Sequence, residues 1–171
     1  MSVPSGLSLE EATKLLSELE GKELKARDRM AIPAQTMPSQ PPADRVTNMR
    51  EVALGYDETQ VRLEAMRCLQ CKKAPCIEGC PVRIDIPGFV KAAAEGRFDE
   101  SIGIVKKSSL LPAICGRVCP QENQCQEHCT LGRSLKDVAQ AVSVGRIERF
   151  HAGYVGHHRG CDVTIRWVDR E

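Results

Sequence analysis

Eight of the nine cysteines in this 171-residue chain stand between Cys68 and Cys129, in two groups of four. The first group is Cys68, Cys71, Cys76 and Cys80, spaced C-x2-C-x4-C-x3-C-P; the second is Cys115, Cys119, Cys125 and Cys129, with Cys119 also followed by proline. A fold that gathers this many thiols must be built around them. The N-terminus, Met1-Ser2-Val3-Pro4, has neither the charged nor the apolar region of a secretory signal. A reducing compartment and metal binding are therefore expected, rather than a disulfide framework. Aromatic residues are few: one Trp, two Tyr and three Phe. The core is expected to be filled by small aliphatics, or by something that is not protein.

The spacing favours iron–sulfur clusters. A short C-x2-C run followed by a more distant Cys-Pro is how bacterial ferredoxins hold them, with the last cysteine serving a second cluster. The C-x2-C turn lets both side chains reach neighbouring irons while intervening backbone N–H groups face the cluster sulfides. Proline after the last cysteine removes one N–H and sends the chain away from the metal. From Cys119 to Cys129 the x5 and x3 spacings approximately echo the x4 and x3 spacings of the first group, so two clusters held close together are expected. Structural zinc usually shows two C-x2-C pairs, and only Cys68/Cys71 has that spacing here. Cys115 stays open to two readings. Counting makes it one of eight ligands; its place in an i, i+3, i+4, i+7 stripe with Leu111, Ile114 and Val118 makes it a small buried hydrophobe. Lys72, Lys73, Arg83, Lys106, Lys107, Arg117 and Arg133 lie near the cysteines in sequence, where positive charge would tune a reduced cluster.

Residues 1–45 read as an N-terminal arm. Ser8 and Glu11 form a capping box for a helix to about Leu24, with Ala12, Leu15, Leu16 and Leu19 on one face. That stripe needs a partner, either this domain or another chain. A proline-punctuated segment with Pro33, Pro38, Pro41 and Pro42 follows and is expected to run extended. Residues 46–150 read as an all-α domain. Asp57 and Gln60 start a helix that delivers Cys68, Pro87 and Gly96 bracket another, Asp99–Lys107 is a third, and Ser134 and Asp137 open a last one to about Phe150. Residues 151–171 form a tail. Its His157, His158 and Cys161 read as loop polarity rather than a metal site, and Val163, Ile165 and Trp167 alternate as in a single strand. The net charge of +1 gives no reason to expect nucleic acid or an anionic membrane as partner. No apolar stretch approaches the ~20 residues needed to cross a bilayer, so a soluble, cytoplasmic protein is expected.

The stretch from Glu64 to Arg133, with RCLQC, GCPV and ICGRVCPQE, and then SVGRIERF, resembles a known family. It is similar to the N-terminal double 4Fe–4S domain of the NADPH-dependent glutamate synthase small subunit. The same domain occurs in the large subunit of NADH-dependent ferredoxin:NADP oxidoreductase and in dihydropyrimidine dehydrogenase. The likeness runs from about Pro38 to Phe150. It implies a helical ferredoxin-like bundle with loops wrapping two 4Fe–4S clusters, which relay electrons between a flavin and a partner subunit or second flavin. It implies Cys68, Cys71, Cys76 and Cys129 as ligands of one cluster, and Cys80, Cys119, Cys125 and Glu148 as ligands of the other. Cys115 matches a position that is not a ligand. The residues lend Glu148 some support of their own: on the last helix it would share a face with Ala141, Val144 and Gly145, all small. The alternative is a surface glutamate paired with Arg146 or Arg149.

The family continues into an FAD domain opening on a strand and a G-x-G-x-x-G turn. Residues 151–171 hold no such fingerprint. FAD and NAD(P)H are therefore expected only on a partner or a missing domain, and no catalytic base is proposed in this chain. It reads as an electron-transfer module serving a flavoprotein reductase and an electron-accepting subunit. The alternatives are a piece of a complete NADPH-dependent FAD oxidoreductase, or a structural or regulatory metal-binding interaction module.

Overall fold

The computed structural model describes residues 7–159. Helix α1 (Leu9–Leu19) starts at the expected capping box, where the Ser8 hydroxyl accepts from the Glu11 N–H and the Glu11 carboxylate accepts from the Ser8 N–H. It stops five residues before Leu24, just ahead of Gly21, which takes a φ of +74°. Ala12 and Leu16 are buried against Ile32, Leu63 and Met66, with Leu15, Leu19 and Leu24 at the edge. The arm's apolar stripe therefore folds back on its own domain.

The segment expected to be extended begins with a helix, α2 (Ala26–Ala31), whose Lys25 N–H donates to the Asp28 carboxylate. All four prolines lie beyond it, which is why punctuation alone did not reveal it. They lead to α3 (Pro42–Arg45) and to one antiparallel bridge between Ser39 and Ala53. Among the described residues this bridge is the one piece of β pairing.

Helix α4 (Glu58–Met66) opens on the Asp57–Gln60 capping box and hands the chain directly to Cys68. A single turn, α5 (Pro75–Glu78), separates the next cysteines. Helix α6 (Ile86–Ala94) starts where the Asp85 carboxylate accepts the Gly88 N–H, carries Pro87 in its first turn and ends before Gly96 at φ +73°. Then come α7 (Phe98–Lys106), α8 (Pro112–Val118) and α9 (Thr130–Leu135). The long α10 (Val144–Arg159) follows.

Residues 134–150 are not one helix. Lys136 takes a left-handed φ of +55° and its N–H closes onto Arg133 and Gly132, which ends α9. Asp137 caps a separate 3-10 turn, Val138–Gln140. The Ser143 N–H then donates to Glu64 at 2.9 Å, and α10 begins at the next residue, Val144. Ala141 consequently lies outside the helix that carries Glu148. At the far end α10 runs past Phe150 and buries His151. The His157 and His158 backbone lies in this helix, whereas Cys161 and the possible strand fall outside the described residues.

Helix α10 packs on α4, α6, α7 and α8. Val61, Phe89, Val90, Val105 and Ile147 are fully enclosed, and Cys68, Cys76, Cys80 and Cys129 pack on this core from its rim. One buried ion pair ties the fold together. The Arg67 guanidinium donates to Glu64 at 2.7 Å and to the Ile32 and Gln140 carbonyls, while Glu64 also accepts the Gln35 and Ser143 N–H groups. Because each remaining donor and acceptor of the pair finds a partner, the cost of burying it is largely offset.

The apolar stripe on α8 faces the wrong way for the buried-cysteine reading. Leu111, Ile114 and Val118 are 54%, 40% and 70% exposed. Helix α8 instead turns Gly116 inward: a Cβ there would lie 2.6 Å from the Arg149 backbone nitrogen and 2.8 Å from the Gly145 carbonyl oxygen. Backbones this close admit only glycine, so the small residue faces in and the large ones face solvent.

Candidate metal centre

All eight described cysteines are free thiols. They separate into two neighbourhoods. Cys76 lies within electrostatic reach of Cys68, Cys129 and Cys71, and burial with these neighbours pushes its thiol up to about 12. Cys68 interacts in turn with Cys129 and Cys71 and is raised to about 11, again chiefly by burial. In the second neighbourhood Cys119 feels Cys115, Glu148 and Cys80 and is raised to about 11, with burial the largest cause. Cys125, the most buried of the eight, interacts with Cys80 and also with Cys76, and stands at about 12. The electrostatic interaction of Cys125 with Cys76 puts the two neighbourhoods near each other.

The backbone delivers these sulfurs by local strain. Gln70 and Ala74 take left-handed φ values of +51° and +40°, which bends the chain between Cys68 and Cys76 into a loop. The Gln70 backbone N–H acts on Cys68, and the backbone N–H groups of Cys125 and Gln126 act on Cys125, each favouring the thiolate against burial. Backbone N–H groups beside sulfur temper negative charge on a cluster.

Glu148 is buried on α10, with Oε1 lacking any hydrogen-bond partner. Burial alone raises its carboxyl to about 7. It pairs with neither Arg146 nor Arg149: Arg146 donates to Tyr56 Oη, and Arg149 pairs with Glu51 at 3.2 Å and donates to the Ala53 carbonyl. The surface ion pair weighed from sequence is thus absent. Cys115 is partly buried, receives the Ser109 hydroxyl at 3.8 Å and touches Cys119 one helical turn on.

This donor set suits iron. Buried thiols with raised pKa values and a carboxylate oxygen without a partner all lack positive charge, which bound metal supplies while displacing the protons. Among the described residues no three Cys, His, Asp or Glu side chains converge as a single metal ion requires. A four-iron cluster spreads its ligands over more separate corners than one ion does.

Of the cations near the cysteines in sequence, Arg83 pairs with Glu78, Arg117 with Glu51, and Arg133 donates to the Glu127 carbonyl. The guanidinium that acts on Cys68 is Arg29 of α2, which donates to the Met66 and Cys68 carbonyls at 2.9 and 3.0 Å. No sequence signal pointed to it, because it comes from the arm.

Comparison with known proteins agrees with the geometry. The profile of the family described as dihydropyrimidine dehydrogenase domain II, 4Fe-4S cluster, matches residues 45–159. The NADPH glutamate synthase small chain of Escherichia coli (strain K12) is 38% identical over 113 residues, 66% of this chain and 23% of that one. The beta subunit of the NADPH-Fe(3+) oxidoreductase of Geobacter sulfurreducens is 38% identical over 120 residues, 69% of this chain and 17% of that one. The NAD-dependent dihydropyrimidine dehydrogenase subunit PreT of Escherichia coli (strain K12) is 36% identical over 87 residues, 51% and 20% of the two chains. The chain spans about a fifth of the length of these relatives.

Proposed function

Because the chain belongs to the dihydropyrimidine dehydrogenase domain II, 4Fe-4S cluster family, we propose that it is an electron relay holding two such clusters. Cys68, Cys71, Cys76 and Cys129 hold one; Cys80, Cys119, Cys125 and Glu148 hold the other. The observation that carries this is the division of the thiols into two adjoining neighbourhoods with a buried, unpartnered carboxylate facing Cys119. When bound, each cluster supplies reversible one-electron storage at a potential set by its surroundings.

The protein's own part is positioning and charge. The Gln70, Cys125 and Gln126 N–H groups and the Arg29 guanidinium offset negative charge at the sulfurs. Glu148, a harder donor than thiolate, gives the second cluster a potential different from its all-cysteine neighbour. The electrostatic interaction between Cys76 and Cys125 supports two neighbouring sites.

FAD and NAD(P)H belong to a reductase on a separate subunit or another domain, and a second partner accepts the electrons. Leu110, Leu111, Ile114 and Val118 are exposed beside Cys115 and Cys119, and the Arg117–Glu51 pair joins that face to the exposed Met49 and Val52. An apolar face of this kind supports partner docking at the second site. The longer relatives, two of them named as subunits, support a place within a larger oxidoreductase.

A potentiometric titration of the anaerobically reconstituted protein, followed by EPR, tests the relay. Two one-electron waves, one per cluster, are expected. A protein whose metal neither takes up nor releases electrons would be a structural module instead.

A further inference from the structure

Resting on the reading above, the geometry points to Cys115 as a reserve ligand of the second cluster, able to take the corner that Glu148 occupies. Cys115 is a fifth donor beside the four proposed ligands: Cys119 interacts with Cys115, Glu148 and Cys80, and Cys125 interacts with Cys80. Cys115 and Cys119 lie one turn apart on the same face of α8, in contact with each other. Glu148 approaches Cys119 from α10, across the crossing where Gly116 packs on the backbone of Gly145 and Arg149. That crossing brings the residue beside Cys115 to the turn of α10 that bears Glu148.

Cys115 is only partly buried. Its sulfur receives the Ser109 hydroxyl at 3.8 Å and meets Cys119, and its neighbours Leu111 and Ile114 are turned to solvent. No hydrogen bond holds Glu148 Oε1 in its buried place. Thiolate is the softer donor and suits iron–sulfur chemistry better than carboxylate. In the exchange Cys115 gives up its proton and binds the iron, while Glu148 releases that iron and takes the proton. No electron is gained or lost.

The test compares wild type, Glu148→Ala and Glu148→Ala/Cys115→Ala, each reconstituted anaerobically, then alkylated with iodoacetamide in the folded state and mapped by mass spectrometry. Wild type is expected to hold about eight irons with Cys115 alkylated. Glu148→Ala keeps about eight, with an altered EPR signal from one cluster and Cys115 now protected, and the double variant falls to about four. The unchanged signal of the first cluster reports that each variant is folded. If the alanine variant loses both clusters, Glu148→Leu, which fills the space and carries no donor, makes the same comparison. Loss of half the iron in the single variant, with Cys115 alkylated as in wild type, overturns the reserve role and leaves the relay standing. Full iron in the double variant overturns it as well. Absence of cluster iron from wild type would remove the underlying reading instead.

Discussion

Glu148 Oε1 and His151 Nε2 are the two buried side-chain polar atoms without a partner among the described residues, and they lie one turn apart on α10. The proposed iron corner would answer the first. The second belongs to a ring enclosed by Phe89, Phe98 and Phe150, whose Nδ1 meets the Ile147 carbonyl at 2.6 Å. Burial lowers His151 to about 4, so the fold holds it neutral. Its contribution to stability is therefore full above about pH 6.5 and is lost as pH falls towards 4. Glu148, raised to about 7, acts with the opposite sign in metal-free protein, so the test uses cluster-loaded protein. Between pH 7 and pH 5 wild type should lose about 2 kcal/mol that His151→Leu does not, measured by urea unfolding. Equal losses would mean that His151 is already charged in the fold. Sequence alone made Glu148 a candidate mainly through family resemblance, because spacing cannot tell a buried carboxylate from a surface ion pair. His151 carried no signal: a polar residue past an apparent helix end reads as tail.

At the scale of elements, the sites depend on how closely α8 lies against α10. Gly116→Ala would place a methyl group against backbone atoms of Arg149 and Gly145, which have no rotamer to yield. Helix α8 must then lift, taking Cys119 away from Glu148. The expected result is selective loss of the second cluster, seen as a fall of about half in bound iron with the first cluster's EPR signal kept. Retention of all the iron would show that the crossing is not what assembles that site. Local signals were read well from sequence here. Both capping boxes and the Gly96 stop appear as expected, because each depends on residues a few positions apart. Two readings failed where a distant partner decides. Helix α10 starts late, at Val144, just after the Ser143 N–H is taken by Glu64 from far back in the chain. The α8 stripe faces solvent because the helix packs through its glycine, which periodicity of large apolar residues does not register.

At the scale of the whole molecule, scarcity of rings and abundance of thiols describe one design. The aliphatic core formed by α4, α6, α7 and α10 carries the cysteines on its rim, and the arm folds back through α1 and places Arg29 against the Cys68 loop. No helix of the described residues is long and apolar enough to cross a membrane. The all-α class was legible from sequence because capping, glycine stops and helical spacing agreed from Ser8 to Lys107. The cysteine arithmetic was legible too, but the pairing of Cys129 with the first group came only from resemblance. The interactions of Cys68 and Cys76 with Cys129 support that pairing. The central claim is that these thiols and one carboxylate hold two clusters. Iron, acid-labile sulfide and zinc analysis of anaerobically purified protein, with EPR after dithionite reduction, tests it most directly. The account predicts about eight irons and eight sulfides per chain with the signals of reduced 4Fe–4S centres. Stoichiometric zinc, or a single cluster in intact wild type, would contradict it.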